Sequence, residues 1–491
     1  MVGLVDREME NSKLQELWTR RGPAMALVYG RRRLGKTYFL QNFLQGRRGI
    51  YLLAADSTSN ENLGELLEQV RIAFPDRHDA TLANYPTWRT AMRLLCELAQ
   101  DEPMLVVLDE FSYLIKADPS VPSVIQAIWD TDAKRTNIKL VLCGSELGTM
   151  SNLSDYGQPL HGRFDWMHRY GPLDYYDTAR FIIAAAADAG VSPYHARDML
   201  LVYGLYGGAG RYLDAIDAAR PPSQNVTSLS LDPNGIFHNE GETLLRQERE
   251  IRDVAGYNTV LSTIAAGATG WGEILNQSHV EKNTLFAYLE RLKSIGWITQ
   301  ERPFEEHDRR SIYRLADNML KGWYRYVFRN RSALQTWRPA DAWNRFVEPD
   351  LSTYMGFHAF EGVCHEHMRR FASRYSLPGI VEMGRWWTRD HQTEIDLVAS
   401  LADGSYLFGE CKWASSPVLT GDLNRLYRKV EAVPHAKWKQ SARYVLFSAG
   451  EFDPLLIEVA RRENVLLIDG NGLFPDLDIP LEPQGSRPAG D

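Results

Sequence analysis

The run Gly30-Arg31-Arg32-Arg33-Leu34-Gly35-Lys36-Thr37 constrains this chain more than any other stretch of its sequence. It satisfies GxxxxGK[ST] at every fixed position. It lies between an apolar strand candidate, Ala26-Leu27-Val28-Tyr29, and a helical pattern at Tyr38-Phe39-Leu40 and Phe43-Leu44. A glycine-containing turn at that junction lets backbone N–H groups close around phosphates, and the helix N-terminus behind it adds partial positive charge. The expected ATP contacts are Gly30, Arg31, Arg32, Arg33, Leu34, Gly35, Lys36, Thr37 and Tyr38. Lys36 would reach the outer phosphates, and Thr37 would offer its hydroxyl to Mg2+.

A second half of such a site follows. Met104 to Leu108 is an aliphatic strand candidate ending in Asp109-Glu110, and Lys139 to Cys143 ends in Gly144-Ser145. Side chains at the C-terminal ends of parallel strands face the crevice where ligands bind. Asp109 would hold Mg2+ and Glu110 would orient or deprotonate an attacking water. Ser145 would report on the γ-phosphate, or stand in a plain Gly-Ser turn. Arg163, in Pro159-Leu160-His161-Gly162-Arg163-Phe164, would neutralise charge on a transferring phosphoryl group, or be an ordinary surface arginine. Arg211, beside Gly207-Gly208-Ala209-Gly210, is a weaker candidate of the same kind.

The chain has 491 residues, 44% of them hydrophobic, enough for roughly three or four domains. A net charge of -8 excludes a generic polyanion binder, although it leaves local basic surface open. Cys96, Cys143, Cys364 and Cys411 form no CxxC pair, which suits a reducing compartment. The longest aliphatic stretches, such as Phe181 to Ala187, fall short of the roughly 20 residues that span a bilayer. A cytoplasmic chain without membrane contact is expected.

Residues 1–220 alternate buried-strand and helical patterns, which argues for an α/β fold with a parallel sheet. Residues 221–235 collect Pro, Ser and Asn and read as a linker or exposed loop. Residues 240–304 read as three helices and a short strand pair, which suits a winged helix. Its helix near Asn283 to Lys293 carries Glu281 and Glu290 against Lys282, Arg291 and Lys293, so a DNA contact and a spacer both remain open. Next come Arg309, Arg310, Arg314, Lys321, Arg325, Arg329, Arg331, Arg338 and Arg345, interleaved with Tyr313, Trp323, Tyr324, Tyr326 and Trp337 and opposed by Asp317 and Asp341. That mixture suits phosphate tracking with base stacking, or an interdomain interface.

In the C-terminal third, Glu394 to Ala399 and Tyr406 to Lys412 read as a strand-turn-strand unit around Asp403-Gly404. Asp396, Glu410 and Lys412 form D…ExK, with Glu410 and Lys412 on one face because strand side chains repeat every two residues. Two carboxylates beside a lysine can hold Mg2+ and position a water against a phosphodiester. Glu361, on a helix over Phe360 to Phe371, would lend a third ligand. Asp396, Glu410 and Lys412 are thus candidate catalytic residues, and Glu361, Asp396 and Glu410 candidate metal ligands. A nuclease-like fold kept only for binding or assembly is the alternative.

The order Arg7, GRRRLGKT, LVVLDEF, VLCGS, PLHGRF and GGAGRYL resembles the archaeal-type ATPases of the AAA/STAND-like group. In that group GRRRxGKT, PLYGRF and GGxPxYL follow in this sequence. Here His161 replaces the usual Tyr and Gly210 the usual Pro, departures that touch the lid and not the phosphates. LADNMLKGWYRYV resembles the element that joins the two halves of those proteins, which favours the interface for the basic stretch. The D…ExK region resembles the restriction-endonuclease-like PD-(D/E)xK fold and the domain of unknown function 234 that accompanies these ATPases. The resemblance implies an ASCE-type P-loop fold with a helical lid; the ATPase class leads us to expect a homo-oligomer, and the D…ExK residues a nuclease acting on nucleic acid, DNA before RNA, in processing or defence. The expected division is a P-loop core over 1–170, helical lid and linker over 171–235, winged helix and basic segment over 236–340, nuclease-like domain over 341–480, and a loose tail over 481–491.

Overall fold

The structure, a computed structural model, describes residue 5 and residues 7–248, 251–305 and 311–480. Arg309, Arg310 and the tail expected over 481–491 lie outside these residues. The chain divides into two compact units, Leu4–Pro172 with Ala209–Arg211, and Leu173–Gly208 with Tyr212–Asp491.

The first unit is built on β1 (Ala24–Tyr29), β2 (Gly49–Leu53), β3 (Met104–Asp109), β4 (Ile138–Gly144) and β5 (Trp166–Arg169). They form one sheet in the order β2-β3-β4-β1-β5, with every neighbouring pair parallel. The reason is visible in composition. β3 and β4 are buried at every position, as strands covered on both faces must be, and their sequences are near-continuous aliphatic runs. Leu27, Leu52, Leu108 and Leu142 are each fully buried in one cluster, and each such side chain contributes about 2 kcal/mol. The helix α1 (Lys36–Leu44) starts straight after the turn that leaves β1. Because β4 separates β1 from β3, the ends of all three strands open onto one crevice.

The second unit begins with α2 (Tyr175–Ala189) and α3 (Ala196–Tyr206). The stretch expected as a linker is instead helical over Pro222–Val226 and Thr227–Leu231 and buries Pro222, Asn225, Val226, Ser230 and Leu231. Proline is tolerated in a first turn. The Asn225 amide donates to the Asp217 carbonyl at 3.0 Å and accepts from the Asp217 N–H at 3.0 Å. Residues that usually mark a loop here start a helix and tie it to the preceding turn.

Then come α4 (Val254–Ala265), α5 (Trp271–Ser278) and α6 (Lys282–Ser294), followed by the antiparallel pair β6 (Ile298–Glu301) and β7 (Ile312–Leu315). Beyond them most rings of the basic segment prove to be core. Tyr313, Trp323, Tyr324 and Tyr326 are buried. Trp323 donates to the His238 carbonyl at 2.8 Å, and Tyr324 to Asn258 at 2.7 Å. Arg325 forks onto Asp350 at 2.7 and 2.6 Å. These four rings, sealed inside the unit, present no face to a base, whereas Trp337 is 43% exposed.

The last sheet runs β12-β11-β10-β9-β8, with β8 (Ile380–Trp387), β9 (Glu394–Leu401), β10 (Tyr406–Lys412), β11 (Ala442–Ser448) and β12 (Leu466–Ile468). β8, β9 and β10 are antiparallel neighbours, whereas β10, β11 and β12 are parallel. The helices α7 (Phe360–Phe371), α8 (Thr420–Glu431) and α9 (Pro454–Glu463) cover it. Leu423, Leu426 and Val430 recur at helical spacing and set the buried face of α8. Among the described residues no helix is long and apolar enough to cross a membrane.

Candidate functional site

The phosphate-loop candidate folds as two glycine-dependent bends. A Cβ on Gly30 would meet the Tyr170 carbonyl oxygen at 2.3 Å, and Gly35 has a φ of +91°, a left-handed conformation that favours glycine. Lys36 is buried, and its Nζ donates to the carbonyls of Gly30 at 2.7 Å and Arg31 at 2.8 Å. Burial lowers the pKa of that ammonium, while the charges at Glu110 and Asp109 pull the other way. The loop is thus curled around a buried cation at a helix N-terminus, a cradle whose charge and shape fit a polyphosphate. Its far side is tied by the Arg211 N–H, which donates to the Arg33 carbonyl at 3.1 Å.

Asp109 is 1% exposed, and both of its oxygens are engaged. Thr37 Oγ1 donates to Oδ2 at 2.7 Å, the Tyr51 hydroxyl donates to the same oxygen, and the Glu110 N–H donates to Oδ1 at 2.9 Å. Burial and the Asp109 charge raise the Tyr51 phenol far above its ordinary pKa, so it remains a donor. Glu110 adopts a left-handed φ of +52°. Such strain in a non-glycine residue persists only when its surroundings hold it. Ser145 does so, its Oγ lying 3.0 and 2.7 Å from the two carboxylate oxygens. Lys36, Thr37, Asp109, Glu110 and Ser145 are therefore brought together. Arg163 is engaged elsewhere, forked onto Asp130 at 3.1 and 2.7 Å and bonded to the carbonyls of Pro159 and His161, each at 3.0 Å.

In the second unit the D…ExK residues converge on the β9–β10 pair. The register Leu397↔Gly409 sets Asp396 beside Glu410, and Asp396 Oδ2 accepts the Cys411 N–H at 2.8 Å. Burial, then the charges of Glu410 and Glu361, push the Asp396 carboxyl up to about 7. Glu410, 3% exposed, receives Lys412 Nζ at 2.7 Å. It also receives Lys429 Nζ from α8, at 2.7 Å on Oε1 and 2.6 Å on Oε2. Two adjacent carboxylates are a donor set that fits a hard cation keeping most of its water, as Mg2+ does.

The third candidate ligand, Glu361, is engaged by arginines: its carboxylate lies 3.2 Å from Arg385 and 3.3 Å from Arg314. Among the described residues no group of three or more His, Cys, Asp or Glu is placed to hold a metal ion. A buried carboxylate needs a partner, and Arg385 supplies it, itself 8% exposed and flanked by Glu301 and Glu394 at 3.7 and 3.5 Å.

The helix α7 stands between this pair and α2 and α3. On one side His365 Nε2 lies 2.7 Å from the Asp396 carbonyl; burial lowers its pKa to about 4, so the neutral ring donates there. On another side Glu366 accepts from the Tyr175 N–H at 3.2 Å and from the Tyr203 hydroxyl. Arg370 pairs with Asp174 at 2.8 Å and with Asp177. Tyr51, Lys429, Arg385, His365 and Glu366 were not singled out from sequence. Tyr51 had a signal in the strand alternation of β2, and Lys429 in its place next to the apolar face of α8. Arg385 had none.

Comparison with known proteins decides part of the identity. Residues 4–216 match the family model for an ATPase domain predominantly from Archaea. This chain carries that ATPase domain. Behind the domain, residues 323–425 match the model for archaeal and bacterial proteins of unknown function, domain of unknown function 234. The protein MJECL04 of Methanocaldococcus jannaschii is 27% identical over 434 residues, 86% of this chain and 90% of that protein. The protein MJ0424 of the same organism is 36% identical over 75 residues, 15% of this chain and 63% of its own length. Among solved structures, the Walker-type ATPase PABY2304 of Pyrococcus abyssi aligns with a TM-score of 0.47 at 22% identity, covering 66% of this chain and 96% of that one. The ORC2 protein of Aeropyrum pernix aligns with a TM-score of 0.45 at 14% identity, covering 67% and 96%.

Proposed function

We propose that this protein binds and hydrolyses ATP at Gly30–Thr37, and that its nucleotide state controls a Mg2+-dependent nuclease-like site at Asp396, Glu410 and Lys412 that acts on DNA. The observation that carries the second half is the Asp396–Glu410–Lys412 convergence, with Lys412 Nζ 2.7 Å from Glu410 and Asp396 fixed on the Cys411 N–H.

In this reading the buried ammonium of Lys36 binds the outer phosphates, and Glu110, aimed by Ser145, orients the attacking water. Bound Mg2+ would supply positive charge against phosphate oxygens, held at Thr37 and Asp109 in one site and at Asp396 and Glu410 in the other. Lys412 steadies charge on the phosphodiester or aligns the water. The route from lid to acidic site is α7, which bonds Tyr175 and Tyr203 through Glu366 and the Asp396 backbone through His365. The order α4, α5, α6, β6, β7 supports a winged helix. Lys293 is paired with Glu290 at 2.6 Å, which withdraws one of the three basic charges on α6 and favours a spacer over a reading helix.

A second reading has its own observation. Both oxygens of Glu410 are held by lysines and no three-ligand metal group is assembled among the described residues, as would suit a nucleotide-switched regulator that binds DNA or a protein without cutting. Incubation with plasmid, linear and single-stranded DNA, with and without ATP, in Mg2+ or Mn2+, separates the two. The nuclease reading expects ATP-responsive cleavage that Asp396→Ala and Lys412→Ala abolish with ATP binding intact. Absence of cleavage by the wild type on every substrate selects the regulator.

A further inference from the structure

The D…ExK pattern accounts for one lysine, and the structure brings two to the same carboxylate. Lys429 reaches Glu410 from a different element, nineteen residues further along the chain, and bonds both oxygens at 2.7 and 2.6 Å. Lys412 already bonds Oε1 at 2.7 Å. The Glu410 side chain is 4% exposed, whereas those of Lys412 and Lys429 are 30% and 26% exposed. The two ammoniums therefore reach in from the solvent side and cover a buried anion.

One ammonium neutralises one carboxylate. A second, sharing the same oxygen, adds repulsion between two like charges, and what balances it is the neighbouring Asp396 carboxyl, on which Lys429 also acts. Lys429 also does not depend on this contact to fix its helix, because Leu423, Leu426 and Val430 already seat α8 on the sheet. The two lysines differ in what they hold. Both carry the same flexible four-carbon stem, but Lys412 bonds Oε1 alone from the same strand face, whereas Lys429 spans both oxygens from a neighbouring helix and is the one that closes Oε2.

We propose that Lys429 is a positioning residue that gates Glu410, occupying its oxygens until a divalent cation displaces the ammonium. This rests on the reading that Asp396 and Glu410 take a metal, and not on the site cutting DNA. A cation approaching Glu410 must break the charge-assisted bonds that Lys429 makes, so the lysine sets how much free metal the site needs. Each such bond is among the stronger hydrogen bonds a protein makes.

The test is calorimetric titration of the full chain with Mn2+, without nucleotide. Lys429→Met and Lys429→Gln, both uncharged, are expected to bind Mn2+ about tenfold more tightly than the wild type, and Lys429→Arg to match the wild type. Adding Asp396→Asn to Lys429→Met is expected to abolish the gain. Unchanged or weaker Mn2+ binding in both uncharged variants overturns the gate, as does an absence of Mn2+ binding throughout. Tighter Mn2+ binding in these variants of a protein that cuts no DNA upholds the gate while the cleavage reading fails.

Discussion

The Tyr203 hydroxyl lies 2.8 and 3.0 Å from the two oxygens of Glu366, and so joins α3, which follows the parallel sheet in the chain, to the helix whose His365 holds the Asp396 backbone. Removing that bond should uncouple the two proposed activities while sparing each. Tyr203→Phe is expected to keep ATP hydrolysis near the wild-type rate and to lose the ATP response of DNA cleavage. It should cost about 1–2 kcal/mol of stability, because a buried acceptor loses its donor. Parallel ATPase and cleavage assays check this, and an intact ATP response would remove the bond from the route.

The same carboxyl gives the second unit a pH dependence. Burial raises Glu366 to about 7 from an ordinary value of 4.5. A group whose folded pKa is raised favours folding fully below the unfolded value, and that contribution is lost as pH rises through the folded value. Between about pH 4.5 and 7 the unfolded chain ionises first, so thermal stability should fall across this window. Glu366→Gln, which cannot ionise, should lessen that fall in melting curves recorded from pH 5 to 8, leaving the share of Asp396, whose carboxyl is raised to the same value. A wild-type slope retained by the variant would contradict the assignment.

Ser145 bonds both oxygens of Glu110, a residue held in a left-handed conformation. Ser145→Ala should lower ATP turnover about tenfold with ATP affinity unchanged, because it frees the water-orienting carboxylate without touching the phosphate loop. Glu110→Gln should lower it about 100-fold or more. Steady-state hydrolysis with separate nucleotide titration reads both, and a Ser145→Ala enzyme of normal turnover would leave Ser145 as a plain turn residue.

Arg163 and Asp130 form a forked pair at the surface of the first unit, with side chains 23% and 43% exposed. Arg163→Ala should therefore leave turnover unchanged and cost at most about 1 kcal/mol, the range of exposed pairs. A marked loss of hydrolysis with ATP affinity retained would instead show Arg163 acting on the transferring phosphoryl group.

Contiguity decided what could be read in advance. Gly30 to Thr37 is a local motif whose spacing and flanking elements stand side by side in the chain, and Asp396, Glu410 and Lys412 follow from strand alternation around one turn. Tyr51, Lys429 and Glu366 act across long separations that no local period encodes. Pro222 and Asn225 looked like linker residues because their helix-ending chemistry also serves to start and seal a helix. β8 escaped notice because Glu382 and Arg385 interrupt its apolar run and its register shifts twice against β9. The Arg and aromatic stretch around Trp323 has the composition of a nucleic-acid surface, and only burial reveals that Tyr313, Trp323, Tyr324 and Tyr326 are core while Trp337 is exposed.

The most direct measurement is an equilibrium titration of the wild type and of Lys36→Ala with ATP, with and without Mg2+. The wild type should bind ATP in a Mg2+-dependent way, and affinity should fall at least about 100-fold when the buried ammonium on the Gly30 and Arg31 carbonyls is removed. Equal affinity in both proteins, or no ATP binding in either, would contradict it.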